Sequence, residues 1–98
     1  MQIEIDITKK LIAHILAEGY DLGVNDGEET TLARSGDAGE IFEHLRSTEM
    51  DYLYVVNRPN DKFLGEILLI WGNGQDVISD HSNSQVIDDL VSPILDSI

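Results

Sequence analysis

The hydrophobic pattern of the chain is densest between Lys62 and His81, where Phe63-Leu64-Gly65-Glu66-Ile67-Leu68-Leu69-Ile70-Trp71 forms the longest apolar segment. This stretch reads as two strands joined by a tight turn. Gly72-Asn73-Gly74 reverses the chain, and Gln75 to Asp80 return along it. Apolar residues do not alternate from Ile67 to Trp71, which predicts a strand with both faces covered or paired, at the centre of a sheet.

The flanking segments carry shorter periods. Ile3, Ile5 and Ile7 alternate with Gln2, Glu4 and Asp6, as a short edge strand or the lead-in to a helix capped by Asp6 or Thr8. Leu11, Ile12, Ile15 and Leu16 recur at helical spacing, and Gly19 is a natural stop. Tyr20, Leu22 and Val24 then alternate with Asp21, Gly23 and Asn25, a half-buried strand. Asp26-Gly27 signals a type I′ hairpin, and Thr30 to Ser35 is the Thr-rich return strand, nearer an edge.

Asp37 and Glu40 stand at capping-box spacing before Ala38, Ile41, Phe42 and Leu45, a short second helix. Asp51 to Asn57 is a strand with Tyr52, Tyr54 and Val56 on one side and Leu53 and Val55 on the other. Arg58-Pro59-Asn60-Asp61 is turn chemistry. Ser82 and Gln85 repeat the capping-box spacing ahead of Val86, Ile87, Leu90, Val91 and Ile94, with a break expected near Ser92 because Pro93 cannot donate to Asp89. The order helix, hairpin, helix, three-strand meander, helix predicts one α+β domain over residues 1–98. Its antiparallel sheet has about five strands, with two or three helices packed on it.

Composition narrows the setting. Ninety-eight residues suffice for one core, and the absence of cysteine excludes disulfides and thiolate zinc sites. No apolar run approaches the roughly 20 residues that span a bilayer, and the first residues carry acids where a signal peptide carries bases. A non-exported, cytoplasmic protein is expected. Nineteen acids face six bases, for a formal charge of −13, and no Lys or Arg follows Lys62. Such a field repels phosphate backbones and anionic lipid and attracts basic partners, so neither direct nucleic-acid binding nor membrane binding is expected.

Candidate chemistry is sparse. His14 with Glu18, and His44 with Glu40, share helix faces but supply two ligands each, where a metal needs three or more. His81 neighbours Asp80, and Asp76 shares a strand face with Asp80 by alternation, the nearest approach to a weak calcium or magnesium site. No EF-hand loop, P-loop, nucleophile elbow or dinucleotide fingerprint occurs. The chain therefore reads as non-enzymatic, with no cofactor. Tyr52, Tyr54 and Trp71 lie on neighbouring strands; if helices cover only one face, Trp71 with one or both tyrosines forms an exposed patch with an acidic rim.

Asn25-Asp26-Gly27-Glu28 leading to Arg34-Ser35, and Trp71-Gly72-Asn73-Gly74 leading to Asp76-Val77-Ile78-Ser79-Asp80, together form a pattern that resembles small acidic proteins encoded by bacteriophages and prophages. The resemblance implies a mobile-element origin and transfers no functional residue. Under it, the leading expectation is an inhibitor that offers carboxylates where a nucleic-acid-binding host protein expects phosphates, of anti-CRISPR or anti-restriction type. Duplex phosphates form rows, so the acids must form a comparable row. Candidates are Asp26, Glu28 and Glu29 at one hairpin tip and Glu40, Glu43, Asp88 and Asp89 on helices. The alternatives are a phage accessory or regulatory adaptor binding through the aromatic patch, and a small metal-dependent enzyme. A surface that is acidic only for solubility competes with all of these. A homodimer through an uncovered edge or face is compatible with the pattern.

Overall fold

The helical stripe read from Leu11 onward extends back to the start of the described chain. The computed structural model describes residues 2–98 and opens with α1, Gln2–Ala17. Ile3, Ile5 and Ile7 are therefore helical, and neither Asp6 nor Thr8 caps this helix. Its buried face runs Glu4, Ile7, Thr8, Leu11, Ile12, Ile15. That is regular helical spacing whose first turns are masked in the sequence by two polar residues. Past its end, Gly19 takes φ +98°, the left-handed conformation that a side chain resists.

β1 (Tyr20–Asn25) and β2 (Thr30–Ser35) form the first hairpin. A type I′ turn needs positive φ at both central residues, and here Gly27 has it while Asp26 does not. The side chains close a wider loop instead. The Asp26 carboxylate accepts the amides of Glu28 and Glu29, each at 2.9 Å, and Asn25 Oδ1 accepts that of Gly27 at 2.8 Å. In α2 (Ala38–Glu43), Asp37 is the N-cap, and its Oδ1 accepts the Glu40 amide at 3.2 Å.

β3 (Met50–Asn57), β4 (Phe63–Ile70) and β5 (Ile78–His81) complete the sheet. The connection from β4 to β5 is longer than a tight turn, because Gly74–Asp76 coil into a 3-10 turn. α3 (Gln85–Asp96) is capped by Ser84, whose Oγ accepts the Ile87 amide. Ser82 is used elsewhere: its Oγ accepts the amide of Glu66 at 2.9 Å. α3 also runs unbroken through Pro93. Pro93 and Asp89 are both exposed, so water can satisfy the carbonyl that proline leaves unbonded, while Leu90, Val91 and Ile94 are buried on the other side.

Strand order is β2-β1-β3-β4-β5, antiparallel throughout. The central strand is thus β3, and β4 lies one place from the edge. All three helices contribute to a single core with the inward-facing residues Leu22, Val24, Leu53, Val55, Ile67 and Leu69. They form one layer over one sheet face. Among the described residues, no element covers the other face. Along β4, Gly65, Ile67 and Leu69 are buried while Glu66, Leu68 and Ile70 are only half-buried, and Leu64, at the register shift between Gly65 and Phe63, packs against the core. The missing alternation in the sequence therefore records apolar side chains on an open face rather than a second cover.

Candidate interaction surface

The open face is built by strand register. Tyr52 stands opposite Leu68 and Tyr54 opposite Glu66 across β3 and β4, and Leu68 stands opposite Asp80 across β4 and β5. Phe63, at the start of β4, is 55% exposed and meets the Tyr54 ring edge-on, with centroids 5.6 Å apart. Burial, then the neighbouring Glu66 carboxylate and Tyr52, push the Tyr54 hydroxyl above its ordinary pKa. The result is a patch of Tyr52, Tyr54, Phe63, Leu68 and Ile70, bordered by Glu66 and Asp80.

Trp71 does not join it. Its indole N–H donates to Asp51 Oδ2 at 2.8 Å, on the helix-covered side of the sheet. The same oxygen accepts the Arg46 amide at 2.8 Å, where Arg46 holds φ +71°. Asp51 is fully buried, and its Oδ1 has no hydrogen-bond partner among the described residues. Burial drives this carboxyl above the ordinary aspartate range, against the pull of the Arg46 amide and the Trp71 indole; the Asp26 charge adds to the rise. Sequence spacing put Trp71 beside the tyrosines, but the strand's alternation and the buried carboxylate assign it to the opposite layer.

The candidate acids are dispersed. Asp26, Glu28 and Glu29 share the β1–β2 loop, beside Met50 and Thr48 at one end of the sheet. Two amides of that loop hold the Asp26 carboxyl below its usual range. Glu40 and Glu43 sit on α2, which packs over β1 and β2, whereas Asp88 and Asp89 sit on α3, which packs over β4. α1 contacts both helices and lies between the two acid pairs. The fold brings the three hairpin acids together and does not join them to the helical acids in one row. Asp88 is further engaged by His81, whose Nδ1 lies 3.4 Å from Asp88 Oδ1.

Two polar clusters escaped sequence reasoning. At one end of the open face, Asp21 bridges Arg34 and Arg58. It accepts from Arg58 Nε at 2.8 Å and from Arg34 Nε at 3.0 Å, and Arg34 also pairs with Asp61. The Arg58 bond, with help from Arg34, outweighs desolvation and keeps the Asp21 carboxyl below its ordinary range. At the other end of the chain's span, buried Glu4 accepts the amides of Gly72 and Gly74, tying α1 to the β4–β5 connection. Desolvation opposes the Glu4 charge, the two amides favour it, and its pKa lies below the ordinary value. Neither cluster has a local sequence signal, since its members are separated by many residues.

Among the described residues, no three His, Asp or Glu side chains converge in a way that could hold a metal ion. Asp76 lies in the 3-10 turn rather than on β5, so strand alternation does not place it beside Asp80. Among those residues, no helix is long and apolar enough to cross a membrane. Comparison with protein-family models, curated proteins and solved structures gives no match.

Proposed function

We propose that this is a non-enzymatic interaction protein whose open sheet face receives a basic protein partner. The observation that carries the reading is the run Tyr52, Tyr54, Phe63, Leu68 and Ile70 on the face left without helices. A strand residue on a water-facing surface is ordinarily polar, so an aromatic and aliphatic cluster there has the make-up of an interface core. The acidic border of Glu66 and Asp80, within a chain of net charge −13, selects a partner that is positive around an apolar centre.

The biological form of this reading is a bacteriophage-type inhibitor that occupies a nucleic-acid-binding host protein in the cytoplasm. An aromatic patch with an acidic rim serves that role better than pure phosphate mimicry, because the acids do not align in a single row. The test is capture from bacterial lysate on immobilised wild-type protein and on a Tyr54→Ser/Phe63→Ser variant. We expect a basic nucleic-acid-binding protein to be recovered, with at least about a tenfold loss in the variant. Its salt dependence should be shallower than that of a purely electrostatic complex. Recovery of only neutral partners, or equal recovery by the variant, refutes the reading.

A further inference from the structure

The open face carries a groove between β3 and β5, lined by Tyr52, Glu66, Leu68, Asp80, His81 and Ser82. Its floor is Leu68, which stands between the Tyr52 ring on one side and the Asp80 carboxylate on the other. Glu66 lies two residues along β4 on the same face, on the order of 7 Å from Leu68. Among the described residues, neither Glu66 nor Asp80 forms an ion pair with a basic side chain. Among the same residues, Asp80 Oδ1 accepts the backbone amide of His81, at 2.8 Å.

The chain's lysines and arginines lie elsewhere, and the Nδ1 of His81 in the lining lies 3.1 Å from the Ser82 carbonyl oxygen and 3.4 Å from Asp88 Oδ1. Lys9 and Lys10 belong to α1 in the other layer, Arg34 and Arg58 are committed to Asp21, Arg46 follows α2, and Lys62 precedes β4. The groove thus joins an aliphatic floor, an aromatic wall and two carboxylates that no described lysine or arginine neutralises. One ligand chemistry matches all three. The methylene stem of an arginine or lysine covers Leu68, its cation rests against the Tyr52 ring, and its N–H groups reach Glu66 and Asp80. A neutral polar side chain gains none of the charge terms, and a purely apolar one would strip water from both carboxylates without return.

We infer that this groove seats one cationic side chain from a basic, otherwise apolar segment of the partner. The inference rests on the open face being the partner-binding surface, and it names the group that surface selects. The test is a titration of isotope-labelled protein, followed by amide chemical shifts, with blocked Val-Arg-Val, Val-Lys-Val and Val-citrulline-Val tripeptides. Citrulline keeps the shape of arginine without its charge. We expect the arginine and lysine peptides to shift Tyr52, Glu66, Leu68, Asp80 and His81 saturably, and citrulline to bind at least about tenfold more weakly. Glu66→Gln/Asp80→Asn should weaken the arginine peptide by a similar factor. Equal binding of citrulline, indifference to that double substitution, or shifts spread over the α2 and α3 acids overturns the inference. If the peptides fail while Tyr54→Ser/Phe63→Ser still abolishes partner capture, the groove assignment alone falls. If capture is also insensitive to that variant, the reading of the whole face falls with it.

Discussion

Gly65→Ala tests the packing that holds the helical layer onto the sheet. Gly65 sits in β4 at φ +155°, and a Cβ built there lies 2.6 Å from Ile87 Cγ1, 3.0 Å from Ile87 Cδ1 and 3.1 Å from Ser82 Cβ. Carbon atoms in ordinary contact are about 3.5–4.0 Å apart, so the new methyl overlaps Ile87 by about 1 Å. Ile87 is wholly buried in α3 and has nowhere to swing. Overpacking of this kind costs roughly 1–3 kcal/mol, and the backbone strain of a side chain at that φ adds a similar amount. The expected loss is about 2–6 kcal/mol, at the upper end of what single substitutions do. At about 4–8 °C per kcal/mol for a domain of this size, the melting temperature should fall by at least about 8 °C. Urea unfolding followed by circular dichroism measures the free-energy loss, and thermal unfolding with the same readout measures the shift. Gly72→Ala is the control, because Gly72 also has positive φ, +95°, but nothing lies within 4 Å of its added Cβ. A Gly65→Ala protein within about 0.5 kcal/mol of wild type, or no worse than Gly72→Ala, refutes the close-approach argument.

Three further outcomes follow from the same contacts. Burial raises the Asp51 carboxyl above its unfolded value near 3.8, so its contribution to stability is full below that value and is lost as pH rises through the folded pKa. Asp51→Asn should therefore gain on wild type between acid and neutral pH in urea unfolding, and the fluorescence of Trp71, the sole tryptophan, should lose its pH step in that variant; a parallel pH dependence in the two proteins contradicts this. Asp21 has the opposite sign: its lowered pKa contributes stability above the unfolded value near 3.8, lost as pH falls through the folded pKa. Asp21→Asn should cost roughly 1–3 kcal/mol at neutral pH and little in strong acid, and a deficit independent of pH would show that the two arginine bonds are not its source. Pro93→Ala restores an N–H inside α3 on its exposed side and should stabilise by roughly 1–2 kcal/mol, offset in part by a looser unfolded chain; a lower melting temperature would count against the unbroken helix.

Local periodicity and turn chemistry were enough to read the α+β order of three helices and five antiparallel strands, because each element announces itself within a few residues. Asp37 before α2, Gly19 past α1 and the two-sided pattern of β3 all act at short range, and the sequence reading of each matches the structure. Where a residue's role depends on a distant partner, the reading fails. Glu4 and Thr8 look solvent-facing, yet they lie on the buried stripe of α1, and Glu4 bonds two amides far along the chain. Ser82 has cap spacing but serves β4, leaving Ser84 to cap α3. Trp71 looks like part of an aromatic patch, yet a buried aspartate claims its N–H. Most consequential is β4, whose unbroken apolar run is equally compatible with a doubly covered strand and with an apolar open face. Only the placement of all three helices on one side resolves that, because burial is a property of two packed layers and no single strand encodes which of its faces will meet the second.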